Sequence, residues 1–230
     1  MVITTEGGVL MRILTLLGID LFRGLSEQEM EKALDVFRSE EKTYEKDSAI
    51  LLAGDKTDRM GLVLEGSVRI ETNDYWGNRT ILSLLVEGGY FAETFAYLKD
   101  EVVLVDVVAN EACRVMFLTI SNLEGKALRD EPWANQIRSN LLSIAIRKNL
   151  MFSKRNLHTS PKLIRGRVMS FLNSYALEMK SRTFTVPFNR RQMADYLNVE
   201  RTALSKELGK MKKEGLIQFD RNRFSILSSG

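Results

Sequence analysis

Cysteine and histidine are almost missing from these 230 residues: there is one of each, Cys113 and His158. One cysteine excludes an internal disulfide, a four-thiolate zinc site and a cysteine-ligated iron–sulfur cluster within the chain. Cys113 is therefore read as a small core hydrophobe. There is no pair of histidines for a metal, no Ser or Cys nucleophile with a histidine beside it, and no glycine-rich phosphate loop, so neither an enzyme nor a metal or cofactor site is expected. No apolar run approaches the roughly 18 to 20 residues needed to span a bilayer. The opening MVITTEGGVLMRILTLLGIDLFRG carries an acidic residue and no cationic leader before its apolar stretch. The expectation is a cytoplasmic chain with no membrane partner.

What is present is ordinary globular material, 44% apolar and 27% charged, in a length comfortable for two domains of roughly 100 residues each. The net charge of +3 conceals an asymmetry. From Pro161 to Gly230 there are 14 Lys and Arg against 6 Asp and Glu, a net of +8, so the first 160 residues hold 19 against 24, a net of −5. The basic end needs an anionic partner more than the acidic end does. The competing reading is that these cations only solvate helix faces.

Along the chain, Ser26 and Glu29 in LSEQEMEKALDVF fit a capping box, with Met30, Leu34 and Phe37 on one face of a short helix. From Thr43 to about Thr119 the pattern becomes short apolar segments, AILLAG, MGLVLEG, SVRIET, RTILSLLVEGG, VVLVDVVA and CRVMFL, with turns at Gly54, Gly66, Gly77, Gly88 and Gly89. This spacing predicts an antiparallel strand domain. Val68 and Ile70 alternate with Arg69 and Glu71, which predicts one buried and one wet sheet face.

A long helix follows, with Ile137, Leu141, Ile144 and Met151 on one stripe that Leu142, Ala145 and Phe152 broaden. Two apolar faces on one helix suggest that a second copy of the chain covers one of them, giving a homodimer with Ile137, Leu141, Ile144 and Met151 at its interface. The alternative is a helix buried wholly within its own chain. A break around Asn156 to Ser160 suggests the domain boundary, and Ser160 and Pro161 read as the N-cap and first-turn proline of a helix that turns Ile164, Val168, Phe171, Leu172 and Tyr175 inward. His158, at this hinge, is read as solvated rather than as a ligand.

The stretch RRQMADYLNVERTALSKELGKMKKEGLI is the most informative in the chain. Asn189 can cap a helix from Arg190 to about Leu197 that turns Met193, Ala194 and Leu197 inward. Asn198 and Val199 make a turn. A second helix runs from near Glu200 to about Glu214, with Leu204, Leu208 and Met211 as its buried stripe and Gly215 as its stop. The small residue at Ala194 lets the two helices cross closely, which is the packing requirement of a helix-turn-helix. Arg201, Thr202, Ser205 and Lys206 share the exposed side of the second helix, as donors sized for base edges and phosphates. LIQFD and RFSIL then flank Arg221-Asn222, a hairpin wing that would offer Arg221 and Arg223 to a phosphate backbone.

Taken together, a strand domain, a long helix, and RRQMADYLNVERTALSKEL with a following hairpin resemble the Crp-Fnr family of bacterial transcription regulators over nearly the whole chain. The resemblance implies an α+β fold: an antiparallel, jelly-roll-like β-roll sensor (1–125), a long dimerisation helix and hinge (126–159), and a winged helix-turn-helix (160–230). It further implies that Arg190 and Arg191 open the first DNA-binding helix, with Arg190 meeting the phosphate backbone. Where the family carries a glutamate that reads cytosine this chain has Thr202, and where it carries a serine-arginine pair it has Ser205 and Lys206. Lysine cannot reproduce a bidentate guanidinium, so the half-site should differ from the family's usual one. Glu207 stands where an apolar residue is usual, which suggests looser or rotated packing there.

In the family's cyclic-nucleotide sensors a Phe-Gly-Glu-Leu turn and an Arg-Ser pair ten residues after its glutamate hold the ligand. Here the turn is Phe91-Ala92-Glu93-Thr94, and the same interval lands on Val103-Leu104. Enclosing a phosphate without a cation would cost several kcal/mol, so cyclic AMP is not expected to bind. Ala92 also crowds any close backbone approach. The resemblance leaves room for an unidentified, less anionic effector, with Glu93 as acceptor and Val103, Leu104, Phe152 and Ser153 as walls; Phe152 is placed by aligning Gly166-Arg167-Val168 with a family Gly-Arg-Ile. The competing reading is that Glu93 only caps or braces its turn.

The expected function is a sequence-specific transcription regulator, a homodimer on palindromic double-stranded DNA, with RNA polymerase a further candidate partner. A second reading is a ligand-binding or scaffolding module whose basic helix pair docks a protein. Nothing in the sequence separates activation from repression.

Overall fold

The computed structural model describes residues 16, 18–73, 79–98 and 100–227. The turn read at Gly77 and the opening stretch up to residue 15 lie outside the described residues. The chain divides into two compact units, Met1–Ile144 and Ala145–Gly230. The division falls inside the long helix, ahead of the break at 156–160 suggested by the sequence.

In the first unit the apolar segments form β1 (Glu40–Tyr44), β2 (Ala49–Leu51), β3 (Met60–Glu65), β4 (Ser67–Asn73), β5 (Arg79–Val86), β6 (Tyr90–Phe91), β7 (Asp106–Ala109) and β8 (Cys113–Leu118). They pair antiparallel in two sheets, ordered β1-β8-β3-β6 and β2-β7-β4-β5. Val63, Phe91, Cys113 and Val115 of the first sheet and Val68, Val107 and Ala109 of the second make one apolar cluster, so the sheets close on each other as the expected β-roll. The turn between β3 and β4 needs Gly66: its φ is +73°, and a Cβ there would lie 2.5 Å from the carbonyl oxygen of Ala112. Cys113 is buried in this cluster, and burial pushes its thiol pKa up, as befits a hydrophobe.

Two strand expectations are corrected. Of VVLVDVVA only Asp106–Ala109 is strand. The supposedly wet face of β4 is buried: Arg69 is 6% exposed and Glu71 5%. The Arg69 guanidinium donates to Glu71 (2.7 Å) and to the carbonyl of Ala109 (3.0 Å), and it pairs with Asp47 at 2.8 Å. Alternation of polar and apolar residues reports which side chains share a face. It does not report that a charged face can be buried when its charges satisfy one another.

A second cluster of this unit gathers Met30, Leu34 and Phe37, from α1 (Glu27–Val36) and its C-terminal end, with Trp133, Ala134, Ile137 and Ile144 of the long helix. The Ser26 capping box is formed, Glu29 accepting from the Ser26 N–H at 2.8 Å. A short α2 (Glu93–Leu98) precedes the long α3 (Pro132–Thr159).

On α3 two apolar faces are present, but the residues exchange roles. Ile137 and Ile144, expected at a subunit interface, are fully buried in the core of their own unit, with Leu141 packed against it. The exposed stripe is instead Leu142 (62%), Ile146 and Leu150, while Met151 and Phe152 also face outward. At 100° per residue the two stripes differ by one helical position, and only contact with the β-roll decides which turns inward.

In the second unit α4 (Ile164–Met179) is followed by β9 (Thr183–Thr185), α5 (Arg190–Leu197), α6 (Arg201–Lys213), β10 (Ile217–Asp220) and β11 (Arg223–Ile226). The cap expected at Ser160-Pro161 does not form. α4 starts at Ile164 after an extended Leu163 with no side-chain cap. Its inward residues are as expected: Val168, Phe171 and Leu172 are buried, with Ile164 and Tyr175 packed alongside. Burying each large side chain contributes about 1.5–3 kcal/mol. The wing has a third strand that the sequence did not reveal, β9, paired through Phe184 with Phe224 of β11. No helix of the described residues is long and apolar enough to cross a membrane.

Candidate nucleic-acid interface

The interface is assembled from local signals that the backbone obeys. Asn189 caps α5: its side chain accepts from the N–H of Gln192, and Gln192 accepts in return from the N–H of Asn189, each at 2.9 Å. Met193, Ala194 and Leu197 are buried, and Asn198 takes the left-handed conformation, φ 53°, that turns the chain toward α6. Glu200 caps α6 through both carboxylate oxygens, which accept from the N–H groups of Thr202 and Ala203 at 2.7 Å. Those bonds hold the Glu200 carboxyl below the usual range.

Leu204, Leu208 and Met211 are buried beneath α6, leaving Arg201, Thr202, Ser205 and Lys206 outward. Arg191 at the start of α5 and Arg221 and Arg223 of the wing are also exposed. Among the described residues none of Arg191, Arg201, Lys206, Arg221 and Arg223 makes a salt bridge. Arg221 sits at φ 50° in the two-residue turn between Asp220 and Arg223, so both arginines project from one tight loop.

Arg190 behaves differently from its expected phosphate contact. Its guanidinium lies half-buried 5.1 Å from the ring centroid of Phe219 and 5.6 Å from that of Phe224, and donates to the carbonyl of Arg221 at 3.0 Å. Burial pushes its pKa down. The side chain braces the wing against α5, because the two rings beside it offer a favourable face to a cation.

Other cations of this unit are likewise turned to its own backbone, which no local pattern announced. Arg167 donates to the carbonyls of Leu197 (3.1 Å), Asn198 (2.7 Å) and Pro161 (2.9 Å). Arg155, from the last turns of α3, donates to Asp195 and Tyr196, both at 3.2 Å. Two guanidiniums thus satisfy the carbonyls that end α5, where a helix dipole favours positive charge. Glu207, in the slot expected to be apolar, pairs with Arg165 at 2.7 Å, and Arg165 also holds Glu214. The packing there is closed by an ion pair rather than loosened.

His158 is not solvated. It is 3% exposed, its Nε2 lies 2.8 Å from Ser174 and its Nδ1 2.9 Å from Tyr196. The Ser174 hydroxyl donates its one proton to the carbonyl of Ser170, so it accepts from Nε2–H, and Nδ1 accepts from the Tyr196 hydroxyl. Both ring nitrogens are thus used, and burial lowers the pKa, which favours this neutral form of the ring.

In the first unit Phe91 is buried between the sheets, Ala92 takes φ 60°, Glu93 begins α2 and Thr94 is exposed. Alanine thus occupies a conformation that favours glycine. Val103 is buried, its N–H donating to Asp55 (2.8 Å) and its carbonyl accepting from Gly54 (2.7 Å), whereas Leu104 is exposed. Phe152 and Ser153 belong to the other unit; Phe152 is exposed, and the Ser153 hydroxyl faces Asn149 at 3.5 Å. Among the described residues no three His, Cys, Asp or Glu side chains gather as a metal site.

Two family models match the chain: "Cyclic nucleotide-binding domain" over residues 41–130 and "Crp-like helix-turn-helix domain" over residues 166–229. Among solved structures the chain is similar to CprK complexed with OCPA, with 15% identity over 87% of this chain and 92% of that one and a TM-score of 0.58. It is also similar to the regulator CLP of Xanthomonas campestris, described as c-di-GMP responsive, with 15% identity over 89% and 100% and a TM-score of 0.55. At such identities these likenesses speak for the fold alone. No curated protein matches the chain in sequence.

Proposed function

The chain belongs to the Crp-Fnr family of transcription regulators, its two matched segments being a cyclic nucleotide-binding domain and a Crp-like helix-turn-helix, and we propose that it acts as a homodimer on a palindromic duplex site. The observation that carries this reading is a division among the cations of the second unit. Arg155, Arg165, Arg167 and Arg190 are bound to its own carbonyls, carboxylates or rings, while Arg191, Arg201, Lys206, Arg221 and Arg223 are exposed without salt bridges. Exposed cations without salt bridges on one helix-turn-helix and its wing suit a polyanion.

The apolar stripe Leu142, Ile146 and Leu150 supports a partner copy along α3. A two-fold dimer sets two recognition helices in successive major grooves, roughly 34 Å apart, and so selects inverted repeats. The sensor takes an effector other than cyclic AMP: at the expected phosphate position Val103 is buried, with both backbone groups bonded to residues 54 and 55. Effector binding would shift the population of dimer arrangements.

The test is affinity for duplexes selected from a randomised palindrome library, measured against salt. Neutralising several phosphates should make log affinity fall linearly with log salt. A flat response would remove the reading.

A further inference from the structure

Bases in the major groove are distinguished by hydrogen-bond donors and acceptors and by the C5 methyl group of thymine. Resting on the DNA-binding reading above, the first turns of α6 allow its share of that code to be worked out by elimination. A cytosine amino group would need an acceptor, and the carboxylates nearby are engaged. Glu200 holds the N–H groups of Thr202 and Ala203, and Glu207 is held by Arg165. The Ser205 hydroxyl donates to the carbonyl of Arg201 at 3.0 Å, so it retains only acceptor capacity of a weak, uncharged kind. The Thr202 hydroxyl is also turned to the Glu200 carboxylate. What the exposed Thr202 side chain has left to offer is its γ-methyl group and, like Ser205, a weak uncharged acceptor, on the same exposed side of α6 as Arg201 and Lys206.

We infer that Thr202 is a specificity-determining residue that reads a thymine methyl group, so that each half-site carries a T·A pair together with guanines met by Arg201 and Lys206. The Arg201 fork matches the O6 and N7 acceptors of guanine, Lys206 can donate to the same acceptors as a point charge, and methyl-on-methyl contact is the apolar complement that thymine alone provides. The cap makes the assignment unusually easy to test. Thr202→Ser removes only the methyl and keeps the hydroxyl that faces Glu200, while thymine→uracil removes only the methyl on the other side.

The experiment takes the full-length protein, selects sites from randomised palindromic duplexes, and then replaces each selected thymine by uracil, symmetrically in both half-sites, for wild type and Thr202→Ser. Burial of one methyl predicts that uracil at one position weakens the wild type roughly fourfold per half-site, about fifteenfold in total. Thr202→Ser should bind the thymine and uracil duplexes alike. Half-sites without a common thymine, or a wild type indifferent to uracil throughout, would overturn the inference without using the variant. An undiminished uracil penalty in Thr202→Ser would overturn it too, because another group would then be reading the methyl. If the wild type selects no sequence at all, the DNA-binding reading falls and this inference with it, whereas a selected palindrome with no methyl dependence removes this inference alone.

Discussion

Both units of this protein tie arginines to their own carboxylates and carbonyls, but only in the second does a set of cations without salt bridges gather on a helix-turn-helix and its wing. In the β-roll, Arg69 is buried among Glu71, Asp47 and a carbonyl, and Arg59 and Arg114 face Glu40 and Glu41. In the helix-turn-helix unit a second set of cations, Arg191, Arg201, Lys206, Arg221 and Arg223, is left without salt bridges. Charge paired inside a fold belongs to its architecture, whereas charge left without a salt bridge on a surface stays available to an anionic partner. The acidic and basic halves of the sequence are therefore different kinds of statement, one about architecture and one about binding.

The sharpest way to break that contrast is to strand the buried charge. Glu71→Ala leaves the Arg69 guanidinium without its buried partner and should destabilise the N-terminal unit by about 3–5 kcal/mol in denaturant unfolding. A loss under about 1 kcal/mol would mean that Asp47 and the carbonyl suffice. Next comes the exposed stripe of α3. Leu142→Glu puts two carboxylates where two leucines would meet, and should weaken self-association by about 3 kcal/mol, read by sedimentation equilibrium. An unchanged oligomeric state would assign that stripe another role.

On the outward set, Arg201→Ala should cost about 1–3 kcal/mol of affinity for selected sites and relax one base position. Arg191→Ala should act more evenly, weakening all duplexes alike and reducing the salt slope by about 1 per subunit, about 2 for the dimer. His158 gives a smaller effect that links charge to pH. Its pKa is lowered from 6.5 by burial, so the unfolded chain takes up its proton first; the stability it confers is full above that value and is lost as pH falls through the lowered one. Wild type should therefore lose melting temperature below about pH 6.5 more steeply than His158→Gln, which bonds but does not titrate in that range. Parallel curves for the two proteins would exclude His158 as the source.

Much of the DNA-facing unit was legible because its signals are local. Asn189, Asn198, Gly215 and the stripes Met193-Ala194-Leu197 and Leu204-Leu208-Met211 act within one or two turns of their own position. The roles that escaped the sequence are long-range. Arg155 and Arg167 reach carbonyls 30 to 41 positions away, and Arg190 turns to Phe219 and Phe224 of the β10–β11 hairpin, roughly as far along the chain. Phe184 had no local partner to announce its strand, and the Ser160-Pro161 signal was overridden where Leu163 remained extended.

Most of the order of elements, the caps at Ser26 and Asn189, the inward stripes of both helices of the helix-turn-helix and the polarity of charge along the chain were determined by the sequence itself, because periodicity and capping involve neighbours a few residues apart. Which of two adjacent stripes on α3 turns inward, whether Arg69 and Glu71 meet water, and which arginines stay free for a partner were decided by tertiary structure alone. Each of those outcomes depends on a surface or an opposite charge brought in from a distant part of the chain, and such a neighbour leaves no mark in the local pattern.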